Sequence, residues 1–240
     1  MATTALSPLL VIGATARSAG EIITQGLAQG RRVTGFARDP RKIGVTHPNF
    51  IPATGDVYDV NSLGAAMTGS EVIISLIGLK YDPKKESGFV DVYSVGGSMI
   101  LSAMRRKGNR RIITMTSGGT EQIPPEKPTN NDVSDNFVWR ERNVYQDMQR
   151  WEKILAVSGF DYVVMRPRRL AEGPKRNNLK FTIHKNHTAF DERTGGPQST
   201  VTYADVAAFA LSLAEGNTYL GTAVGIYSDL FLGNEAFKPN

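Results

Sequence analysis

Val11-Ile12-Gly13-Ala14-Thr15-Ala16-Arg17-Ser18-Ala19-Gly20 joins a short apolar run, Pro8–Ala14, to a segment of helical period, Ala19–Gln29. A strand that turns through glycine into a helix offers helix N-terminal amides to an anion. In a βαβ unit, that is where a dinucleotide pyrophosphate docks. The spacing G-x-x-G-x-x-G would place glycines at 13, 16 and 19, and the chain has Gly13, Ala16 and Ala19. Alanine in the third place is tolerable, because that glycine serves close helix–strand packing. Ala16 sets a Cβ where the backbone should approach phosphate. Taken alone, the turn also fits an ordinary tight βα connection.

The same alternation continues down the chain. Further strands are expected at Arg32–Ala37, Asn49–Thr54, Glu71–Gly78, Arg111–Ser117, Asp161–Arg166 and Thr222–Tyr227. Helices are expected at Asn61–Met67, Val90–Lys107, Val138–Ser158 and Val206–Glu215. Gly30 is the expected C-cap of the first helix, and Asp59 or Asn61 caps the second. Thr202-Tyr-Ala-Asp205 reads as a capping-box variant opening the last. Continuous apolar strands alternating with helices predict an α/β fold, a Rossmann-type doubly wound parallel sheet with helices on both faces. One domain is expected over residues 1–240. Two irregular stretches, about 120–136 and 171–200, follow strands five and six. They are the expected substrate walls, since ligands of open α/β sheets sit outside the carboxyl ends of the strands.

Composition sets the outer bounds. Of 240 residues 40% are hydrophobic and 21% charged, which suits a globular core, and cysteine is absent. That excludes disulfides, thiolate metal sites and cysteine nucleophiles. The longest apolar run, Val72–Leu79, is far below the roughly 18 residues of a membrane span. The amino terminus lacks a basic n-region, so a cytoplasmic protein without membrane contact is expected. The net charge is +5, but the arginine pairs at 31–32, 105–106, 110–111 and 168–169 are scattered. They form no nucleic-acid footprint, so the expected partner is a small molecule, with the chain a monomer or homodimer. Glycine is in excess, 24 of 240.

The end of the second strand chooses between cofactors. NAD enzymes place a carboxylate there for the ribose 2′-hydroxyl, and an arginine nearby accommodates the 2′-phosphate of NADP. Here Ala37-Arg38-Asp39-Pro40-Arg41-Lys42 closes on Arg38, with Lys42 in reach and Asp39 one residue late, as a turn residue. NADP(H) is the expected cofactor.

These pieces, taken in order, resemble the atypical short-chain dehydrogenase/reductases of the NmrA-like, NAD(P)H-binding group. The layout is similar to the flavin-reductase (biliverdin-IX-beta reductase) type over about residues 8–230. The matching pieces are Gly13-Ala-Thr15, Ala37-Arg-Asp-Pro40, Gly55-Asp-Val57, Ile77-Gly-Leu79 and Met115-Thr-Ser117. Ser158-Gly-Phe-Asp-Tyr162 through Arg166-Pro167, and Tyr203-Ala-Asp-Val206, complete the set. The resemblance implies that Thr15, Arg17 and Ser18 surround the pyrophosphate and that Arg38 takes the 2′-phosphate. It puts Asp56 and Val57 at the adenine, and Leu76, Ile77 and Gly78 at the nicotinamide-side ribose. Thr116, Ser117 and Pro167 would border the nicotinamide and substrate.

The chain departs from its relatives where a proton donor is usually found. Classical members use Tyr-x-x-x-Lys, but Tyr145 is followed four residues later by Gln149, and Lys153 is two turns on. The flavin-reductase type carries histidines in this helix and after the sixth strand, where this chain has Met148, Glu152 and Arg169. Ser117 as hydrogen-bond donor, Tyr145 as acid and Arg168 or Arg169 as anion holder are the candidates for the chemistry. His184 and His187 lack a third metal ligand, so no metal is expected. Ser117 lacks a Gly-x-Ser-x-Gly elbow. Trp139, Arg142 and Trp151 read as packing and solvated-face residues, and Tyr81 and Phe89 as either pocket or core. An NADPH-dependent reductase of a conjugated or aromatic substrate follows. The alternatives are a non-catalytic NADP(H) sensor of NmrA-like type, or a non-redox cyclase or isomerase in secondary metabolism.

Overall fold

The structure, a computed structural model, describes residues 6–79, 88–120, 141–184 and 200–228. Its main sheet has eight strands: β1 (Leu9–Ile12), β2 (Val33–Ala37), β3 (Phe50–Thr54), β4 (Val72–Ser75), β5 (Arg111–Met115), β6 (Asp161–Pro167), β8 (Lys180–His184) and β10 (Thr222–Tyr227). They lie in the order β3-β2-β1-β4-β5-β6-β10-β8. All neighbours are parallel except the edge strand β8, which runs antiparallel to β10. β7 (Arg169–Ala171) and β9 (Thr200–Thr202) pair separately, in parallel.

Because strand side chains alternate, β1 feeds two cores. Leu9 and Val11 join Ile22, Ile23, Val206 and Leu211 under α1 (Arg17–Ala28) and α5 (Tyr203–Leu213). Leu10 and Ile12 join Leu63, Ile100, Trp151 and Leu155 on the opposite face. That face is covered by α2 (Val60–Ala65), α3 (Gly97–Lys107) and α4 (Arg142–Ala156). The doubly wound sheet expected from the alternation is therefore present. Pro52, which has no amide to donate, sits in β3, a sheet edge where nothing requires one.

Several boundaries differ from expectation. The first helix begins at Arg17, two residues early, because the turn after Gly13 leads straight into it. Asp59, not Asn61, caps α2 by accepting from the Asn61 amide at 2.9 Å. The stretch Val90–Lys107 is not one helix: a π-helical turn at Val92–Gly96 precedes α3. The last helix opens at Tyr203 rather than Val206, with Thr202 as N-cap accepting from the Asp205 amide at 3.0 Å. Asp205 does not close a reciprocal box: its carboxylate accepts from the Thr202 hydroxyl and from the amides of Arg176 and Asn177. Within the stretch 171–200, read as without period, Lys180–His184 is a sheet strand, adding the one antiparallel edge to the expected parallel sheet. Segment 122–136, Trp139, Tyr81 and His187 lie outside the described residues. No helix among the described residues is long and apolar enough to cross a membrane.

Candidate functional site

In the strand order the chain reverses direction between β1 and β4, and ligands of open α/β sheets bind outside the carboxyl ends at that switch point. Gly13 ends β1 there with φ of +82°, a left-handed conformation open to glycine at little cost. A Cβ on it would stand 2.7 Å from the Leu76 carbonyl oxygen, so the β1 turn and the end of β4 touch backbone to backbone. Ala16 then precedes α1 in extended conformation. No side chain caps this helix and no acidic residue occupies its first turn, leaving its amino end electropositive for an anion. Thr15 and Arg17 are exposed beside it, whereas the Ser18 side chain is buried, so Ser18 faces the turn through its backbone. Arg17 reaches across to Glu172 at 3.7 Å.

At the end of β2, Arg38 is exposed and has no hydrogen-bond or ion-pair partner among the described residues. Asp39 is occupied: Arg41 holds both its oxygens, at 2.8 and 3.2 Å, and Lys42 lies 3.9 Å away. The Arg41 hydrogen bond holds the Asp39 carboxyl below its ordinary value. The sequence reading of Asp39 as a turn residue fits this geometry. Asp56 is tied into an Asx turn, accepting from the Tyr58 amide at 3.0 Å. Val57 packs on Gly96 of the π-helical turn. Tyr58 donates to Asp91 at 2.7 Å, and partial burial followed by that carboxylate pushes its phenol up to about 12.

Leu76 and Ile77 are buried at the end of β4, and Gly78 emerges exposed. Across the crevice, Ser117 and Tyr145 stand hydroxyl to hydroxyl at 3.4 Å. Gln149, in place of the usual lysine, donates its side-chain amide to the Thr120 carbonyl at 2.7 Å and pins the Ser117–Thr120 turn. Arg168, rather than Arg169, sits against that turn, donating to the Gly118 carbonyl at 3.4 Å. Arg169 is exposed on β7, paired in register with Thr200. Pro167 is buried and its carbonyl accepts from the Gly118 amide at 3.0 Å, joining the ends of β5 and β6. Phe89 is almost wholly exposed. Trp151 is fully buried, its indole donating to Thr114 at 3.1 Å, which settles it as a core residue.

Below this surface lies a charged cluster that sequence reasoning missed. Glu152 and Arg166 are 2% and 1% exposed. Arg166 grips both Glu152 oxygens, one at 3.2 Å, and the Thr116 hydroxyl donates to the same carboxylate at 2.7 Å. Thr116 thus spends its proton inward. A second buried carboxylate, Asp147, accepts from the amides of Tyr93 and Ser94 and from the Ser94 hydroxyl. The signal was present: Val144, Asp147, Met148, Trp151, Glu152 and Leu155 form the inward stripe of α4. Two carboxylates in an apolar stripe, and an arginine inside the apolar strand Asp161–Pro167, must find each other or other partners.

Elsewhere, a groove of about 300 Å³ lined by Pro8, Arg32, Thr34, Ile51 and Glu71 opens at the amino ends of the strands, the wrong end for a switch-point ligand. Among the described residues, no three His, Asp or Glu side chains gather to hold a metal.

Comparison with known proteins agrees with this architecture. The sterol demethylase protein B of Methylococcus capsulatus is 28% identical over 125 residues. That match takes in 50% of this chain and 38% of that protein, so the chain spans well under half the length of this curated relative. Among solved structures, a Rossmann-fold NAD(P)-binding family protein from Shigella flexneri superposes with TM-score 0.67 at 20% identity, covering 98% and 100% of the two chains. The anaerobilin reductase ChuY from Escherichia coli O157:H7 gives 0.68 at 18%, covering 93% and 98%. A wide-type short-chain dehydrogenase/reductase from Veillonella parvula, in complex with NADP, gives 0.68 at 16%, covering 95% and 97%. At these identities the likeness is one of fold. The family model described as NAD(P)H-binding matches residues 13–216. With most of its length under that model, the chain belongs to the NAD(P)H-binding family.

Proposed function

We propose that the protein is an NADPH-dependent reductase acting on a small conjugated or aromatic substrate. One observation carries the choice of cofactor. At the end of β2 the exposed Arg38 has no partner among the described residues, and the nearest carboxylate, Asp39, is held by Arg41. A ribose 2′-hydroxyl would want that carboxylate free, whereas a 2′-phosphate wants the guanidinium. The residues fit the dinucleotide. Gly13 keeps clear the space a Cβ would fill, the α1 amides with Thr15 and Arg17 would hold the pyrophosphate, and Leu76 to Gly78 would border the far ribose.

Bound NADPH would supply the hydride. The chain's part is to orient and polarise: Ser117, with Tyr145 at 3.4 Å, offers a hydroxyl to a substrate oxygen. Gln149 and Glu152 fix the turn and strand end that carry Ser117. Arg168 places positive charge beside the same turn, suiting an anionic substrate. Without a lysine beside Tyr145, the proton comes from water. That absence also favours a second reading, an NADP(H) sensor without turnover.

The test follows NADPH consumption with flavin, quinone and enone substrates, beside the dissociation constants of NADPH and NADH. Charge-assisted hydrogen bonds contribute about 1.5–3 kcal/mol. Solvent screening at an exposed arginine brings this nearer 1–1.5 kcal/mol, so Arg38→Ala should weaken NADPH roughly tenfold and leave NADH unchanged. Equal weakening of both, or none, overturns the assignment of Arg38. Tight NADPH binding with no turnover on any substrate selects the sensor.

A further inference from the structure

Tyr93 has no part in the site as read from the sequence, yet it is placed beside it. It lies in the π-helical turn Val92–Gly96, it is 6% exposed, and its ring belongs to the core cluster that includes Ile77, Val144 and Tyr145. Its hydroxyl rises to Gly78, 2.8 Å from the point a Cβ there would occupy. Among the described residues that hydroxyl has no hydrogen-bond partner. The ring is buried, but the hydroxyl oxygen is not among the buried polar atoms without a partner, so the phenol presents an apolar body to the core and a polar tip to the crevice.

The turn that carries Tyr93 is also fixed more firmly than packing requires. The fully buried Asp147 accepts from the Tyr93 amide at 2.8 Å, the Ser94 amide at 3.4 Å and the Ser94 hydroxyl. Arg150 ties Asp147 to the Val90 carbonyl, donating at 3.1 and 2.9 Å. The other end of the turn, Gly96, packs on Val57. One rigid turn thus touches both the adenine-side residue Val57 and the ribose-side residue Gly78.

We infer that the Tyr93 hydroxyl is a cofactor-binding group, hydrogen-bonded to a hydroxyl of the nicotinamide-side ribose where it passes over Gly78. This rests on the dinucleotide placement given above under the reductase reading. A phenol both donates and accepts, as a sugar hydroxyl does, and Gly78 leaves the approach open. Burial first, then the neighbouring Tyr145, Asp147 and Glu141, raise the Tyr93 phenol, so it stays protonated and neutral at physiological pH.

The experiment compares two ligands, NADPH and adenosine 2′,5′-bisphosphate, which lacks the nicotinamide-ribose half. Dissociation constants and thermal midpoints are measured for wild type, Tyr93→Phe and Gly78→Ala. The second variant places a methyl group against the Tyr93 hydroxyl. Loss of one neutral hydrogen bond should weaken NADPH about five- to tenfold in both variants, leaving the bisphosphate affinity and the Tyr93→Phe midpoint unchanged. NADPH affinity unchanged in Tyr93→Phe, or both ligands weakened alike, overturns the inference while leaving the reductase reading in place. Wild-type protein that binds neither ligand overturns both.

Discussion

Replacing Glu152 by glutamine keeps its shape and removes its charge, in a place where charge cannot be screened. Glu152 and Arg166 are almost fully buried, and the guanidinium grips both carboxylate oxygens. In Glu152→Gln the guanidinium loses its counter-charge within the protein's second core. Breaking such a pair from one side costs roughly 3–5 kcal/mol. The glutamine oxygen still accepts one hydrogen bond, from Arg166 or Thr116, which places the cost near the lower figure. For a chain of this size about 2–4 °C accompanies each kcal/mol, so the midpoint should fall by about 6–12 °C.

The assay is thermal and urea unfolding of wild type, Glu152→Gln, and the double variant Glu152→Leu with Arg166→Met. Removing both charges leaves none buried without a counter-charge, so the double variant should recover most of the single variant's loss. The site should respond separately. Thr116 loses the carboxylate that holds its hydroxyl at 2.7 Å, and Ser117 follows it in the chain. Turnover should therefore drop in both variants, while Arg38-dependent NADPH affinity persists. A single variant within about 1 kcal/mol of wild type would refute the reasoning, because it would mean that water or relaxation screens this pair. A double variant less stable than the single would refute it differently, showing the ion pair to be net stabilising.

Gly13→Ala forces a left-handed φ on a residue with a Cβ, at about 1–2 kcal/mol, and drives that Cβ to 2.7 Å from the Leu76 oxygen. Overpacking adds about 1–3 kcal/mol. Denaturant unfolding should show a loss of roughly 2–5 kcal/mol together with weakened NADPH binding, and a loss below about 1 kcal/mol would mean that the β4 end yields. Glu71 is buried, which alone would raise it, but bonds from Thr68 and Asn109 outweigh burial and hold its carboxyl below the ordinary 4.5. A carboxyl lowered in the folded state contributes its full stability above that ordinary value and loses it as pH falls through the folded one. The stability gap between wild type and Glu71→Gln should therefore be constant near neutrality and close below pH 4.5. A gap that persists undiminished at pH 2 would contradict the assignment.

The strands were easy to read for a physical reason: each of the parallel strands β1, β4 and β5 is covered on both faces, so its centre is a run of apolar residues, as in Leu9–Ile12, Val72–Ile74 and Ile112–Ile113. β8 escaped notice because it is an edge strand, alternating exposed Phe181 and Ile183 with half-buried Thr182 behind a loop without period. Arg38 could be singled out from position alone, as the residue that follows β2. The buried network was illegible because its meaning depends on distance. Asp147 and Glu152 lie five residues apart on one helix, yet they serve different elements: Asp147 the π-helical turn before α3, Glu152 the ends of β5 and β6. Tyr93 shows the same limit more sharply. In the sequence it is one aromatic in an apolar stretch, and its hydroxyl acquires significance only when the β4 end brings Gly78, a residue with no side chain, beside it. The glycines therefore divide by what they permit. Gly13 permits a backbone angle and was found by spacing, whereas Gly78 permits an approach, and an approach is visible only once both partners have been placed.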